Sequence, residues 1–128
     1  MNSSPAQRIK PSLLVDLKKN RIRIHKVTLH MLGDPNYIQF LVNPNDKTIA
    51  IHTSLPDDHL SQHVRWRRLR GKQCCEFYSK VLIDALRDVG LDWDNQHAYK
   101  LYGHLYKKMS IVRFSMSDYV IINEIDEG

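Results

Sequence analysis

No run in this 128-residue chain approaches the roughly 18 consecutive apolar residues that a membrane-spanning helix needs. Met1 to Gln7 are small and polar and lack the apolar stretch of a secretory signal, so the expected compartment is the cytoplasm. Cysteine is scarce. Cys74 and Cys75 are neighbours, and a bridge between them would be strained and close no useful loop, so two reduced thiols are expected. With no Cys-x-x-Cys pair, a cysteine-based zinc site is not indicated. The five glycines are scattered, so no phosphate-cradling loop is written in the sequence.

Catalytic groupings are equally thin. His59 and His63 stand four apart, a ligand spacing on a helix, but Leu60-Ser61-Gln62 between them lacks the glutamate of the metalloprotease pattern and no third ligand is placed. Cys74 or Cys75 with His97 or His104 would form a thiol–imidazole pair, yet nothing supplies an oxyanion donor. Asp92-Trp93-Asp94 reads as a loop with one apolar anchor. The expectation is therefore no enzyme, no cofactor and no metal.

What is present is a core's worth of apolar residues, 42%, in short patterned runs, and an excess of positive charge, formally +5. One domain over residues 12–123 follows, with a flexible arm at 1–11 and an acidic tail at 124–128. Leu13 to Leu17 suggest a strand, and Arg21-Ile22-Arg23-Ile24-His25 alternates as a half-buried strand with a basic outer face. Lys26 to Leu32 shifts to helical spacing and stops at Gly33 and Pro35. Two β-rich runs, 37–42 and 48–52, flank the turn sequence Asn43-Pro44-Asn45-Asp46-Lys47 and predict a hairpin. A short helix is expected to start at Ser54. Farther on come a strand at 76–78, a helix from Lys80 capped by Ser79 and ended by Gly90, a second hairpin from 99–102 and 110–114, and a last strand at 119–123.

The order strand, short helix, hairpin thus occurs twice, in half-units of about 13–58 and 74–123. Lys26-Val27 aligns with Lys80-Val81, and Leu29 and Leu32 with Ile83 and Leu86. In a second register Tyr37 aligns with Tyr99, and Thr48-Ile49-Ala50 with Ser110-Ile111-Val112. The expected fold class is α+β: a β-rich barrel or sheet from two strand–helix–hairpin units, pseudo-duplicated.

Two basic groups stand out. Lys18, Lys19, Arg21, Arg23 and Lys26 would form one face able to neutralise phosphates. Arg65, Arg67, Arg68, Arg70 and Lys72, with Trp66 among them, place five positive charges in eight residues. Arginine forks suit phosphate and guanine, and Trp66 would either stack on a base or anchor the segment. The plain alternative for each group is a solvated face. Tyr99, Tyr102 and Tyr106 interleave with lysines, but alternation reads them as a sheet with one wet face.

Residues 13–51 resemble the AbrB/MraZ superfamily of swapped-hairpin DNA-binding domains. The resemblance is carried by Leu14-Val15-Asp16, the run Lys18 to Lys26, Leu29, Leu32-Gly33, Tyr37-Ile38, Leu41-Val42 and Ile49-Ala50-Ile51. It implies two interleaved units closing a barrel, both carried in one chain as in MraZ-like members, and a DNA-binding transcriptional regulator; a homodimer is expected separately, because symmetric dimers are the commonest oligomers. It departs from the family where His25 replaces a proline and where Leu29 or His30 replaces the helix arginine. Those departures favour a second class: a small phage- or mobile-element-type interaction module, an inhibitor or adaptor. Its partner would be an acidic or nucleic-acid-binding protein surface.

Overall fold

The computed structural model describes residues 10–89 and 92–122. The first strands, β1 (Ser12–Asp16) and β2 (Arg21–His25), pair antiparallel across a turn in which Asn20 takes a positive φ and Asp16 Oδ1 accepts the Lys19 amide at 3.0 Å. Leu13, Val15, Ile22 and Ile24 point inward, as alternation predicts. Helix α1 (Lys26–Met31) begins where His25 Nδ1 accepts the Val27 amide at 3.1 Å, and the chain leaves it through Gly33 at φ +85. Strands β3 (Tyr37–Asn43) and β4 (Thr48–Thr53) form the expected hairpin, its turn held by Asn43 Oδ1 accepting the Asn45 and Asp46 amides.

The helix expected from Ser54 does not form. Asp58 Oδ2 captures the Leu55 amide at 2.8 Å, Leu55 stays in solvent, and the segment turns into a short strand, β5 (Ser61–His63), against β3. A side chain that satisfies a backbone donor locally competes with helix, and an apolar stripe to repay nucleation is lacking here. His59 and His63 therefore share no helical face. After a 3-10 helix at Trp66–Leu69 come β6 (Cys74–Phe77), α2 (Lys80–Val89), β7 (Ala98–Tyr106) and β8 (Ile111–Ile122). Helix α2 has the expected cap, with Ser79 Oγ accepting the Leu82 amide, and buries Leu82, Ile83, Leu86 and Val89.

The second hairpin is longer than expected. The two terminal strands read from the sequence are one, because Ser115-Met116-Ser117 keeps the period of two, Met116 is buried, and β7 pairs along β8 across a bulge between Leu101 and Gly103. At that bulge Pro11, expected in the arm, is buried and its carbonyl accepts the Gly103 amide at 2.9 Å. The rest of the arm (1–9), Gly90, Asn123 and the tail 124–128 lie outside the described residues.

Among the described residues the strands run in the order β5-β3-β4-β8-β7-β1-β2-β6, a nearly closed, antiparallel, barrel-like sheet with two α-helices, its edges being β5 and β6. Neither described helix is long and apolar enough to cross a membrane. The core lies inside the curl, with Ile22, Ile24, Ile49, Ile51, Leu101 and Phe114 almost wholly buried. The helix correspondences of the two halves share their burial: Leu29 with Ile83, Leu32 with Leu86. The hairpin correspondences do not, since Tyr37 faces outward against His63 while Tyr99 is in the core, and Ala50 is half-exposed while Val112 is buried. A slip of one residue separates that alignment from any that preserves faces.

Candidate nucleic-acid interface

The segment 64–73 joins the two sheet edges and divides its side chains by polarity. Val64 and Leu69 enter the core, and the Val64 amide donates to the Asn36 carbonyl at 2.8 Å. Trp66 is the segment's anchor. It is half-buried, its Nε1 donates to the Pro35 carbonyl at 2.8 Å, and its ring stacks on His30 at 5.6 Å. That placement removes it from the base-stacking role. Lys26 is spent in the same way: its Nζ donates to the Leu69 carbonyl at 3.0 Å and its amide to the Gln73 carbonyl at 2.9 Å. With the apolar side sealed and the backbone pinned, Arg65, Arg67, Arg68, Arg70 and Lys72 face solvent. No carboxylate among the described residues pairs with any of these five.

The first basic group behaves differently. Arg21 was expected on a wet strand face, but it is only 5% exposed. Its Nε donates to Asp16 Oδ2 at 3.0 Å, where Asp16 is 0% exposed, and a second nitrogen donates to Glu76 Oε2 at 2.7 Å. Arg23 Nε lies 3.3 Å from the same Glu76 oxygen. Asp16 and Arg21 face each other across the β1–β2 turn, and Glu76 sits opposite Arg23 on β6. Burial works against the Arg21 charge, but hydrogen bonds to Asp16 and Tyr78 and the charges of Glu76 and Asp16 hold its pKa above the ordinary arginine value. The strand's basic face is thus neutralised from within. Lys18 and Lys19 are exposed in the turn beyond it.

Both groups meet at one place. A cavity of about 910 Å³ opens between β5 and β6, lined among others by Arg21, Arg23, Arg65, Arg68, Lys72 and Tyr78. Glu76 and His63 also border it. Arg67 and Arg70 lie outside its lining. Cys75, on β6, is buried, and burial first, then Glu76 and Cys74, push its thiol up to about 11. At that pKa it is a packing residue rather than a nucleophile. The tyrosines of β7 follow the alternation read from sequence: Tyr99 is in the core, stacked on Trp93 at 4.5 Å, and Tyr102 is outside with Lys100 Nζ 5.4 Å from its ring centre.

One feature of the site escaped the sequence, the carboxylate pair Asp16 and Glu76 that absorbs Arg21 and Arg23. Glu76 becomes the companion of Asp16 through a strand pairing that joins residues far apart in the chain. No family model matches this chain, and no curated protein and no solved structure is significantly similar to it.

Proposed function

We propose that this chain binds nucleic acid, DNA first, without covalent chemistry, as a regulator of AbrB/MraZ-like type would. The observation that supports this reading is the row Arg65, Arg67, Arg68, Arg70 and Lys72, which no carboxylate among the described residues pairs, on a segment pinned from behind. Like charges on neighbouring residues repel, and the segment that carries them is held in place by the Trp66 indole on the Pro35 carbonyl, the Val64 amide on the Asn36 carbonyl and the Lys26 ammonium of α1 on the Leu69 carbonyl. A polyanion relieves that repulsion, and arginine forks bind phosphate oxygens in pairs. Phosphate contacts of this kind set position, and binding then falls steeply with salt.

The test is a mobility-shift or anisotropy titration with DNA over a salt series. If most of the five cations each neutralise a phosphate, log K falls against log salt with a slope of about −3 to −5. A triple substitution of Arg65, Arg68 and Lys72 to alanine flattens that slope by about 2 to 3. Absence of binding by the folded chain at low salt overturns the proposal.

The strand order also supports duplication of a unit with a homodimeric ancestor. Moving every strand four places along the chain turns β3·β4 into β7·β8 and β1·β7 into β5·β3, and leaves β2·β6 and β4·β8 unchanged. The pair β1·β2 becomes β5·β6, which is the pair missing at the open seam. On this scheme the second unit begins with β5, ahead of the boundary at residue 74 read from sequence.

A second reading has its own observation. Both free edges border the same basic cavity, and unpaired strand edges are templates for a partner strand. An interaction module would seat an acidic protein segment there. Binding of such a segment in the absence of any DNA affinity would select it.

A further inference from the structure

We infer that the cavity between β5 and β6 takes a single strand of nucleic acid in preference to a duplex, with phosphates on Arg65, Arg68 and Lys72 and bases against Tyr78 and His63. This rests on the nucleic-acid reading above and names the form that fits the site.

The shape of the site carries the first part. Its cations line a recess of about 910 Å³ instead of capping a projection. Duplex recognition inserts a helix or a two-stranded ribbon into a groove about 12 Å wide. The helical element beside this recess is the four-residue 3-10 helix Trp66–Leu69, and both of its apolar side chains are turned inward to core and anchor. It is about 8 Å long at 3-10 rise, and its solvent side carries only Arg67 and Arg68, too short a face to run along a groove. A duplex is too thick to enter such a recess, so its phosphates meet the walls less fully. A flexible strand follows a recess and brings its phosphates to the walls.

The rings carry the second part. Tyr78, just past the end of β6, is 66% exposed although it borders the cavity. His63 borders the cavity as well, is exposed, and is stacked on Tyr37 at 4.9 Å with a 26° tilt, which fixes its plane. Unpaired bases stack on such surfaces, and bases inside a duplex do not present a face to them. Glu76, the acid within the recess, is already held by Arg21 and Arg23, so the surplus charge of the walls stays positive.

The experiment compares a 5′-labelled 12-nucleotide oligothymidylate with a 12-base-pair duplex by fluorescence anisotropy at low salt, on the full chain. The strand is expected to bind about tenfold tighter than the duplex, and Tyr78→Ala to weaken the strand about tenfold while changing the duplex less than about twofold. Tyr78→Phe keeps the ring but loses the hydroxyl bonded to Arg21, and should bind the strand as the parent does. Circular dichroism shows each variant folded. A duplex bound as tightly as the strand overturns this inference and leaves the nucleic-acid reading standing. Polyglutamate of equal charge bound as tightly as the strand, with Tyr78→Ala indifferent, also overturns it, since charge alone would then be the ligand. No binding of either nucleic acid by the folded chain overturns both readings.

Discussion

Replacing Arg21 by methionine separates a structural arginine from a phosphate contact. Methionine keeps a flexible apolar stem but removes the guanidinium. Asp16, 0% exposed, then loses the partner 3.0 Å away. Removing one member of a buried ion pair costs about 3–5 kcal/mol, because the other charge is left without water or partner. Asp16 Oδ1 still accepts the Lys19 amide, which points to the lower end, and Glu76, at 35% exposure and still beside Arg23, adds little. The expected loss is about 3 kcal/mol, out of a total of about 5–15 for a domain of this kind. It corresponds to a fall in Tm of about 10–20 °C, read by circular dichroism, with a matching drop in the urea midpoint at unchanged slope. Asp16→Asn in the same chain preserves the acceptor for Lys19 and removes the stranded charge. The double-mutant cycle should therefore show a favourable coupling of about 1–3 kcal/mol. A loss below about 1 kcal/mol, the range of a surface pair, together with weakened DNA binding, would refute the reasoning and return Arg21 to the binding face.

Three more outcomes follow from the same geometry. Gly103→Ala would set a Cβ 2.7 Å from the Phe114 ring and 2.8 Å from the Arg113 carbonyl, so it should cost about 2–3 kcal/mol, partly recovered by Phe114→Leu; a neutral result in urea melts would mean the bulge relaxes freely. His25 has its pKa lowered by burial and by the charges of Lys100, His30 and Lys26, and its Nδ1 must be unprotonated to cap α1. As pH falls below the ordinary histidine value of about 6.5 the unfolded chain takes up the proton first, so this contribution to stability is full above that value and is lost toward the lower folded pKa. His25→Asn keeps a cap and should shrink the difference in Tm between pH 7 and pH 5. Cys75, buried with its thiol near 11, should resist iodoacetamide in the native protein at pH 8 and react only on unfolding, which mass spectrometry of the labelled chain would show.

Local pattern determined much of this molecule. The alternation at Arg21 to His25, the turn chemistry at Asn43 to Lys47 and the stripe Leu82, Ile83, Leu86, Val89 each name an element from neighbouring residues alone, because side-chain period and turn preference are short-range properties. The basic run 65–72 was legible for the same reason. What the sequence left open were pairings between distant segments. Whether Arg21 met water or a carboxylate depended on β2 lying beside β6, which brings Glu76 next to Arg23. Whether Trp66 faced a base or the core depended on the Pro35 carbonyl reaching its indole. The recess that gathers Arg65, Arg68 and Lys72 exists because β5 and β6 stay unpaired at the end of an eight-strand order. That open seam is a property of the strand order as a whole, and hydrophobic alternation in one strand carries no information about which edge remains open.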